Sequence, residues 1–212
     1  MSRLRIAFFV SGNGTLFESV TSRCQSGELN AESALLVSSS AKAPALERAK
    51  RLNVPAVVMR AADYPSEAAF ADALIKLLTE YRINLICLAG YLKLIPSAVV
   101  SAYRNRMLNI HPALLPAFGG PGMYGHRVHE AVIESGARIS GATVHLVDDQ
   151  YDHGHIVLQR AVFVGFDDTA DTLAQRVHAI EHDLYADAVR LFADDRIRIT
   201  DRHISILPGK PA

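Results

Sequence analysis

Five short apolar runs, separated by segments with helical spacing, constrain the fold of this chain most. The runs lack the strict apolar-polar alternation of a half-exposed strand. Strands of this kind are buried on both faces, as in parallel sheets covered by helices. The sequence therefore predicts an α/β fold, a doubly wound Rossmann-like domain with a mostly parallel sheet. The runs are Ile6–Val10, Leu35–Ser38, Ala56–Met59, Leu85–Ala89 and Met107–His111, and the helical segments are 15–26, 44–52 and 66–82.

Beyond residue 111 the pattern changes and predicts antiparallel strands at the C-terminal end of the sheet. Residues 113–124 are rich in proline and glycine and read as a loop. Two later strand-like runs are joined by about ten residues, which is too short for a helical crossover and favours antiparallel pairing. The expected elements are a helix at 125–135, strands at 143–147 and 156–164, a long helix at 169–193, and short strands at 197–200 and 203–207.

Composition and charge are those of one globular domain without a strong electrostatic field. The chain has 212 residues, of which 50% are hydrophobic and 21% charged, enough for one well-buried core. Lysine plus arginine equal aspartate plus glutamate at 22 each, so nothing favours nucleic acid or an anionic membrane as a partner. Cys24 and Cys87 are the only cysteines, which fits a reducing cytoplasmic compartment. The apolar run 6–10 is too short for a signal peptide and is expected to be the first strand.

Asn109 and His111 end the fifth run, directly before Pro112. Strand side chains alternate in direction, so the amide and the imidazole are expected on one face, with Leu108 and Ile110 in the core. Ligands of doubly wound folds gather at the carboxyl ends of strands. Asp152, in a later loop, could fix the tautomer of the imidazole or keep it protonated. These residues predict an acyl-transfer centre, although an asparagine here could also be only a turn former.

The segment Ser11–Thr15 links the first strand to the first helix and contains Gly12, Asn13 and Gly14. Glycines allow close backbone approach, and a helix start offers unpaired N–H groups to an anion. The segment is neither a complete dinucleotide fingerprint nor a P-loop. Phosphate binding and an ordinary tight turn are both compatible with it.

The remaining histidines allow several roles. His126 with His129, or His153 with His155, could chelate a metal, but no thiolate or His-Glu-x-x-His signature accompanies them, so we expect none. His145, in the strand 143–147, is expected to be either a hydrogen-bonded core residue or part of the site. His178, Glu181 and His182 lie on the long final helix, where surface charge is the simpler interpretation.

Three segments closely resemble the glycinamide ribonucleotide formyltransferases, which use 10-formyltetrahydrofolate. They are residues 88–95, 108–116 and 141–154, and the likeness runs from the first strand to the long final helix. The Asn-x-His-Pro segment with the later Asp-x-Gly is typical of the wider folate-dependent formyltransferase superfamily. Chain length distinguishes its members, because methionyl-tRNA formyltransferases carry an added C-terminal domain and formyltetrahydrofolate deformylases an added N-terminal one.

The resemblance implies a role for each part of the predicted site. Asn109, His111 and Asp152 would be the catalytic residues, with His111 as proton donor and Asp152 raising its pKa. His178 would lie near the phosphate and Glu181 would hold the ribose. The remaining ribonucleotide-binding residues would be Gly12, Asn13, Gly14, Thr15 and Leu16, and the folate-binding residues would be Leu92, Lys93, Leu94, Ile95, Asn109 and Asp148.

The implied reaction is transfer of a formyl group from 10-formyltetrahydrofolate to the amine of 5'-phosphoribosylglycinamide in de novo purine biosynthesis. We expect residues 1–212 to form a single formyltransferase domain, with a phosphate-binding half at about 1–105 and a catalytic and folate-binding half at about 106–212. Small molecules would be the only partners, and the protein would be a monomer or weak homodimer. Hydrolysis of formyltetrahydrofolate, formylation of another amine, and a non-catalytic nucleotide-binding module are the alternatives.

Overall fold

A seven-stranded sheet organises the computed structural model, which describes residues 3–200 and 203–209. The strand order is β3-β2-β1-β4-β5-β6-β7. The first five strands are parallel, whereas β6 runs antiparallel to β5 and β7 antiparallel to β6. The strands are β1 (Leu4–Val10), β2 (Ala31–Ser38), β3 (Ala56–Val58), β4 (Leu85–Leu88), β5 (Met107–His111), β6 (Ile139–Leu146) and β7 (Ile156–Phe163). A separate pair, β8 (Ile197–Ile199) and β9 (Ile204–Ile206), forms a small antiparallel ladder.

Helices cover both faces of the large sheet, because the inner strands bury alternate residues on opposite sides. Ile6 and Phe8 of β1 belong to one buried cluster, while Ala7 and Phe9 belong to the other. Helices α1, α2, α5 and α6 contribute to the first cluster, and α3 and α4 to the second. The helices are α1 (Thr15–Gln25), α2 (Ala45–Arg51), α3 (Glu67–Glu80), α4 (Ser97–Ala102), α5 (His126–Glu134) and α6 (Ala170–Ala193). None of these helices is long and apolar enough to cross a membrane.

The predicted fold class is confirmed, and β5 has the predicted bounds. Two expectations were wrong in detail. The run Ala56–Met59 was expected to be buried, but β3 is the edge strand and is largely exposed. Helix α4 was not predicted, since six residues are too few to show helical periodicity. Residues 201–202, between β8 and β9, lie outside the described residues.

The chain order creates a crevice at one edge of the sheet. From β1 the chain proceeds outward to β2 and β3 and then returns to β4 on the other side of β1, so the loops after β1 and β4 diverge. Ser11 connects these loops: its N–H donates to Gly90 O at 3.1 Å, and its Oγ accepts from Leu92 N at 2.9 Å. The fully buried Tyr185 of α6 lies within hydrogen-bond distance of Leu88 O and Leu108 O, both at 3.1 Å, and so links the end of β4 to the start of β5.

Candidate active site

A cleft of about 800 Å³ opens at the carboxyl ends of β1, β4 and β5. Most of its wall comes from five loops and strand ends, and α5 and α6 supply the rest. Residues of every predicted group, catalytic, ribonucleotide-binding and folate-binding, contribute to this one cleft. The wall consists of residues 12–16, 89–93, 109–112, 120–125 and 151–152 together with His129, His178, Glu181 and His182.

The structure brings together the three predicted catalytic side chains. His111 Nδ1 lies 3.4 Å from Asp152 Oδ2, and His111 Nε2 donates to the Phe118 carbonyl at 2.7 Å. Asn109 contacts the same group of side chains through His145, which stands opposite it on β6. Two of the three come from one strand end and the third from the loop between β6 and β7. An amide, an imidazole and a carboxylate therefore meet at one end of the cleft.

His111 is more deeply buried than a simple alternation along the strand predicts. It is 3% exposed, whereas Ile110, expected in the core, is only half-buried. The loop after β5 folds back so that the Phe118 carbonyl lies 2.7 Å from Nε2 of the imidazole. His111 is therefore part of the packed interior as well as of the cleft wall.

Burial decides the direction in which the pKa of His111 moves. Removal of the ring from water lowers its pKa, and this effect outweighs the charge of Asp152 and the bond to Phe118, which both raise it. The carboxylate thus acts in the direction the resemblance implies, but the net result is a pKa below the ordinary value. Burial raises the pKa of Asp152. His145, His111 and the Gly120 N–H together lower it by more, so the net pKa lies below the ordinary value. Asp152 is therefore a stable carboxylate facing a histidine that is predominantly neutral at pH 7.

His145 holds the amide of Asn109 in place. Its Nδ1–H donates to Leu146 O at 2.9 Å, since a carbonyl can only accept. With the proton on Nδ1, Nε2 can accept an N–H from Asn109 Nδ2, which lies 3.1 Å away. The same Nε2 lies 3.6 Å from Asp152 Oδ1. His145 is thus both a buried, hydrogen-bonded residue and a direct neighbour of the site, which combines the two predicted roles.

Two backbone anchors fix the loops that carry these side chains. The fully buried Thr143 donates to Ala113 O at 2.6 Å and accepts from Leu115 N at 3.0 Å, so β6 holds the start of the loop after β5. The loop that carries Asp152 ends at Gly154, where a Cβ would lie only 1.8 Å from the Leu146 carbonyl oxygen. Only glycine permits this close approach. Gly120 N then joins the two loops by donating to Asp152 Oδ2 at 3.0 Å.

The loop after β1 has the geometry of an anion site. Gly14 precedes α1 with φ at +68°, a left-handed conformation that glycine adopts readily. An added Cβ would lie 2.6 Å from the Cβ of Ala45 in α2, so the loop is tightly packed from behind. Arg48 of α2 donates to Asn13 O at 2.8 Å and fixes the loop from the same side. Leu16 belongs to the buried core, so its side chain adds no polar contact.

Helix α6 adds a second wall near this loop. Glu181 is 15% exposed, and burial raises the pKa of its carboxyl group, although the charge of His178 acts in the opposite direction. His178 Nδ1 lies 3.9 Å from Glu181 Oε2 and 2.9 Å from Ala174 O. Burial lowers the pKa of His182, and the charge of His178 adds to this effect. These residues line the cleft and are not the plain surface charges of the simpler interpretation.

Only part of the predicted folate-binding set lies in the cleft wall. Leu92 and Lys93 line it, and Leu92 is 64% exposed. Leu94 and Ile95 do not line it; Ile95 is buried against the core that α4 covers. Asp148 is also outside the wall and accepts a hydrogen bond from His153 at 2.7 Å. The wall residues that sequence reasoning did not assign include Tyr91, Met123, Tyr124, His129, Tyr151 and His182.

No metal centre is formed by residues 3–200 and 203–209. They contain no group of three or more histidine, cysteine, aspartate or glutamate side chains that could hold a metal ion. His126 is partly exposed on α5, near Glu130 and Asp171, whereas His129 is buried. The two histidines therefore do not form a chelating pair.

The sequence and the fold of this chain are both similar to those of known formyltransferases. Residues 4–189 match the family described as formyl transferase. A chloroplastic phosphoribosylglycinamide formyltransferase of Arabidopsis thaliana is 42% identical over 209 residues, covering 98% of this chain and 72% of that protein. The phosphoribosylglycinamide formyltransferase of Bacillus subtilis (strain 168) is 37% identical over 186 residues, covering 88% of this chain and 93% of that protein. The crystal structure of glycinamide ribonucleotide transformylase 1 from Symbiobacterium toebii matches with a TM-score of 0.91 at 40% identity, covering 98% of this chain and 95% of that one.

Proposed function

Because this chain belongs to the formyl transferase family, we propose that it transfers the formyl group of 10-formyltetrahydrofolate to the amine of 5'-phosphoribosylglycinamide. This reaction is a step of de novo purine biosynthesis. One observation carries the proposal beyond the family: a single cleft joins Asn109, His111 and Asp152 to a glycine loop at a helix start. A formyl-transfer centre and an anion-binding loop within one cleft suit an acceptor that carries both an amine and a phosphate.

In the proposed mechanism, the amine nitrogen bonds to the formyl carbon and the bond from that carbon to the folate nitrogen breaks. Asn109 and His111 donate hydrogen bonds to the oxyanion that develops between these events. One proton leaves the amine toward water beside Asp152. His111 in its imidazolium form gives one proton to the departing folate nitrogen, and the resulting neutral imidazole regains a proton from that water. The reaction thus takes up and releases no net proton.

The contact between His111 and Phe118 has a consequence for this mechanism. Nε2–H already donates to the Phe118 carbonyl, and Nδ1 faces Asp152. An N–H group can reach a formyl oxygen only if the ring turns or the loop around Phe118 shifts. The next two residues, Gly119 and Gly120, give that loop the backbone freedom to do so.

The acceptor would occupy the part of the cleft between the loop 12–16 and α6. The start of α1 offers unpaired N–H groups to the phosphate, and Gly14 allows the backbone to approach it closely. His178 lines the same part of the cleft and contributes a positive charge only in its protonated form. Glu181, largely desolvated, would accept hydrogen bonds from the ribose hydroxyls.

The folate would bind at the opposite part of the cleft. The exposed Leu92 offers an apolar surface of the kind that a pteridine ring covers, and Tyr151 is exposed near Asp152. By family resemblance, Lys93 and Asn109 belong to the same subsite, whereas Leu94, Ile95 and Asp148, which the resemblance also implies, lie outside the cleft wall. The co-substrate supplies the formyl group, and the protein needs no metal for this chemistry.

A turnover assay with purified protein tests this function directly. We expect consumption of 10-formyltetrahydrofolate only when 5'-phosphoribosylglycinamide is present, with one formylated product per folate consumed. Folate consumption without an acceptor would instead indicate the hydrolase alternative. Formate with ATP should not replace the formyl folate, because the chain has no P-loop for activating formate.

We also propose that residues 1–212 act as one formyltransferase domain, with a phosphate-binding half at about 1–105 and a catalytic and folate-binding half at about 106–212. The protein would work in the cytoplasm as a monomer or weak homodimer, with small molecules and no nucleic acid or membrane as partners. The two buried free cysteines and the balanced charge support this proposal. Sedimentation velocity across a concentration series and cell fractionation would test it.

A further inference from the structure

His129, on α5, is a buried histidine whose ring has no hydrogen-bond partner in the described part of the chain. The residue is 1% exposed, and neither of its ring nitrogens is paired. Buried polar atoms normally have partners, because burial removes the water they would otherwise bind. The other two buried histidines do have partners: His111 bonds to Phe118 O, and His145 bonds to Leu146 O and Asn109. An imidazole in the cleft wall with both ring nitrogens unpaired indicates a partner from outside the chain.

The position of His129 associates it with the α6 wall of the cleft. His129 lines the cleft, and its ring centroid lies 6.5 Å from that of His178. His178 in turn lies 3.9 Å from a carboxylate oxygen of Glu181. The three side chains therefore form one patch, to which α5 contributes the first residue and α6 the other two. This is the wall that the ribose of the acceptor would contact.

The protonation state of His129 determines which chemical group it can recognise. Burial lowers the pKa of His129 to about 4, and the charges of His178, His126 and His111 act in the same direction. The ring is therefore neutral at pH 7 and offers one N–H donor and one nitrogen acceptor. A hydroxyl group, which both donates and accepts, can pair with either ring nitrogen, whereas a phosphate dianion can pair only with the N–H. The Glu181 side chain lies in the same cleft wall, and as a carboxylate it can only accept hydrogen bonds.

We propose that His129 is a binding and specificity-determining residue for the acceptor substrate, and that its uncharged imidazole pairs with a ribose hydroxyl of the ribonucleotide beside Glu181. The inference rests on the proposed formyl transfer to 5'-phosphoribosylglycinamide. A vicinal diol offers two donors and several acceptor positions, so a carboxylate and a neutral imidazole together can satisfy it. The unpaired imidazole destabilises the free protein, and binding of the ribonucleotide supplies the missing hydrogen bond.

The test combines binding with stability in three variants. His129→Leu keeps a similar volume without hydrogen-bonding atoms, His129→Gln retains a donor and an acceptor, and His126→Leu removes a partly exposed imidazole one turn away on the same helix. Calorimetry would measure binding of 5'-phosphoribosylglycinamide, of its 2'-deoxy and 3'-deoxy forms, and of the folate, each to full-length protein. Thermal unfolding would be followed without any ligand.

We expect His129→Leu to raise the melting temperature of the free protein, because it removes a buried unpaired polar ring. The same variant should bind the ribonucleotide roughly 5- to 15-fold more weakly, as expected for one hydrogen bond. At least one deoxy form should lose much less affinity than the ribonucleotide does, and the folate should bind unchanged. His129→Gln should recover part of the loss, and His126→Leu should match the wild type in ribonucleotide binding.

Several results would overturn the inference. A lower melting temperature with unchanged ribonucleotide binding would make His129 a structural residue. Equal losses for the ribonucleotide and both deoxy forms would exclude a hydroxyl contact, and an equal loss in His126→Leu would exclude a specific role. A wild-type protein that neither binds nor formylates the ribonucleotide would refute the proposed function. An active wild type, together with a His129→Leu variant that binds the ribonucleotide equally well, would refute only this inference.

Discussion

At the scale of single residues, the site depends on the competition between burial and charge around His111. Burial lowers the pKa of this imidazole, and the carboxylate of Asp152 opposes that change. Neither residue can be assigned its role without the other, because the 3.4 Å contact couples their protonation. The carboxylate therefore determines how much imidazolium is available for proton donation at a given pH.

Asp152→Asn should shift the titration of His111 to lower pH. The charge of Asp152 raises the pKa of His111, so its removal leaves burial to lower that pKa further. At neutral pH the imidazolium fraction then decreases, and formyl transfer should slow by about 10² to 10³, as for loss of one oxyanion donor. An NMR titration of the His111 ring protons gives the pKa directly. An unchanged His111 pKa, or turnover like that of the wild type, would exclude the proposed coupling. Asp149→Asn, in the same loop, serves as the matched control.

His111→Asn should abolish most transfer without large unfolding. His111 is 3% exposed, so His111→Ala would leave a cavity, whereas asparagine fills more of the space and keeps polar atoms near Phe118 O. We expect a loss in kcat of at least about 10², with near-normal ribonucleotide binding. Stopped assays and calorimetry on the same preparation would separate the two. Near-normal kcat with intact binding would remove His111 from the catalytic set.

At the scale of elements, the strands hold the loops of the site through a few buried polar contacts. Thr143 of β6 binds both Ala113 and Leu115, and Gln159 of β7 donates to Thr143 Oγ1 at 3.0 Å. Through these bonds the antiparallel part of the sheet fixes the loop that covers His111. The parallel part fixes the anion loop in a different way, by packing α2 against Gly14.

Thr143→Val should destabilise the protein by about 2–3 kcal/mol, since it leaves the Ala113 carbonyl and the Leu115 N–H unpaired in the interior. Thr143→Ser keeps the hydroxyl and should cost much less. Urea unfolding at constant pH gives both values. Equal stabilities for the two variants would show that the hydroxyl contributes nothing.

Gly14→Ala should weaken the ribonucleotide far more than the folate. The added Cβ would meet Ala45 at 2.6 Å and would also require a positive φ, so the loop must shift away from its present position. The clash is with α2 behind the loop, so the effect on phosphate binding comes from displacement of the backbone and not from filling of the phosphate space. Gly12→Ala is the comparison, since its Cβ would have no neighbour within 4 Å and should have a smaller effect. Equal losses for both ligands in Gly14→Ala would argue against a phosphate site at this loop.

The sequence was sufficient to predict the strands that are covered by helices on both faces. It was insufficient to predict contacts between residues that are far apart in the chain. Strands β1, β4 and β5 are recognisable as continuous apolar runs because helices cover both of their faces. No local pattern connects Asn109 to Asp152, which lies 43 residues later, so their association was proposed from the chemistry of the side chains and from family resemblance. The role of Phe118 O and the burial of His129 depend on loop and helix placement that no local pattern encodes.

At the scale of the whole molecule, acid should destabilise the fold through histidines that are buried without charge. The ordinary pKa of His129, 6.5, falls to about 4 in the folded protein. Between these values the unfolded chain binds a proton that the folded chain does not. The contribution of His129 to the free energy of unfolding is therefore complete above pH 6.5 and is lost as the pH falls toward 4. His111, with its lowered pKa, acts in the same direction.

The contribution of His129 to this loss is about 3 kcal/mol at the acid limit, from 1.36 kcal/mol per pKa unit. In the wild type, the free energy of unfolding should decrease between pH 6.5 and 4. We expect this decrease to be smaller in His129→Leu by about 3 kcal/mol. Urea titrations at a series of pH values, with His126→Leu as the reference, would measure it. An identical acid decline in both variants would contradict the prediction.

The close approach of Gly154 to the Leu146 carbonyl has a consequence for the evolution of this protein. Since a Cβ at this position would lie 1.8 Å from that oxygen, every other amino acid forces the two backbones apart. In a library that randomises one codon at a time, we expect selection for purine-independent growth to leave position 154 as invariant as position 152. Sequencing such survivors would then show a residue without any side chain to be as indispensable as the carboxylate beside it.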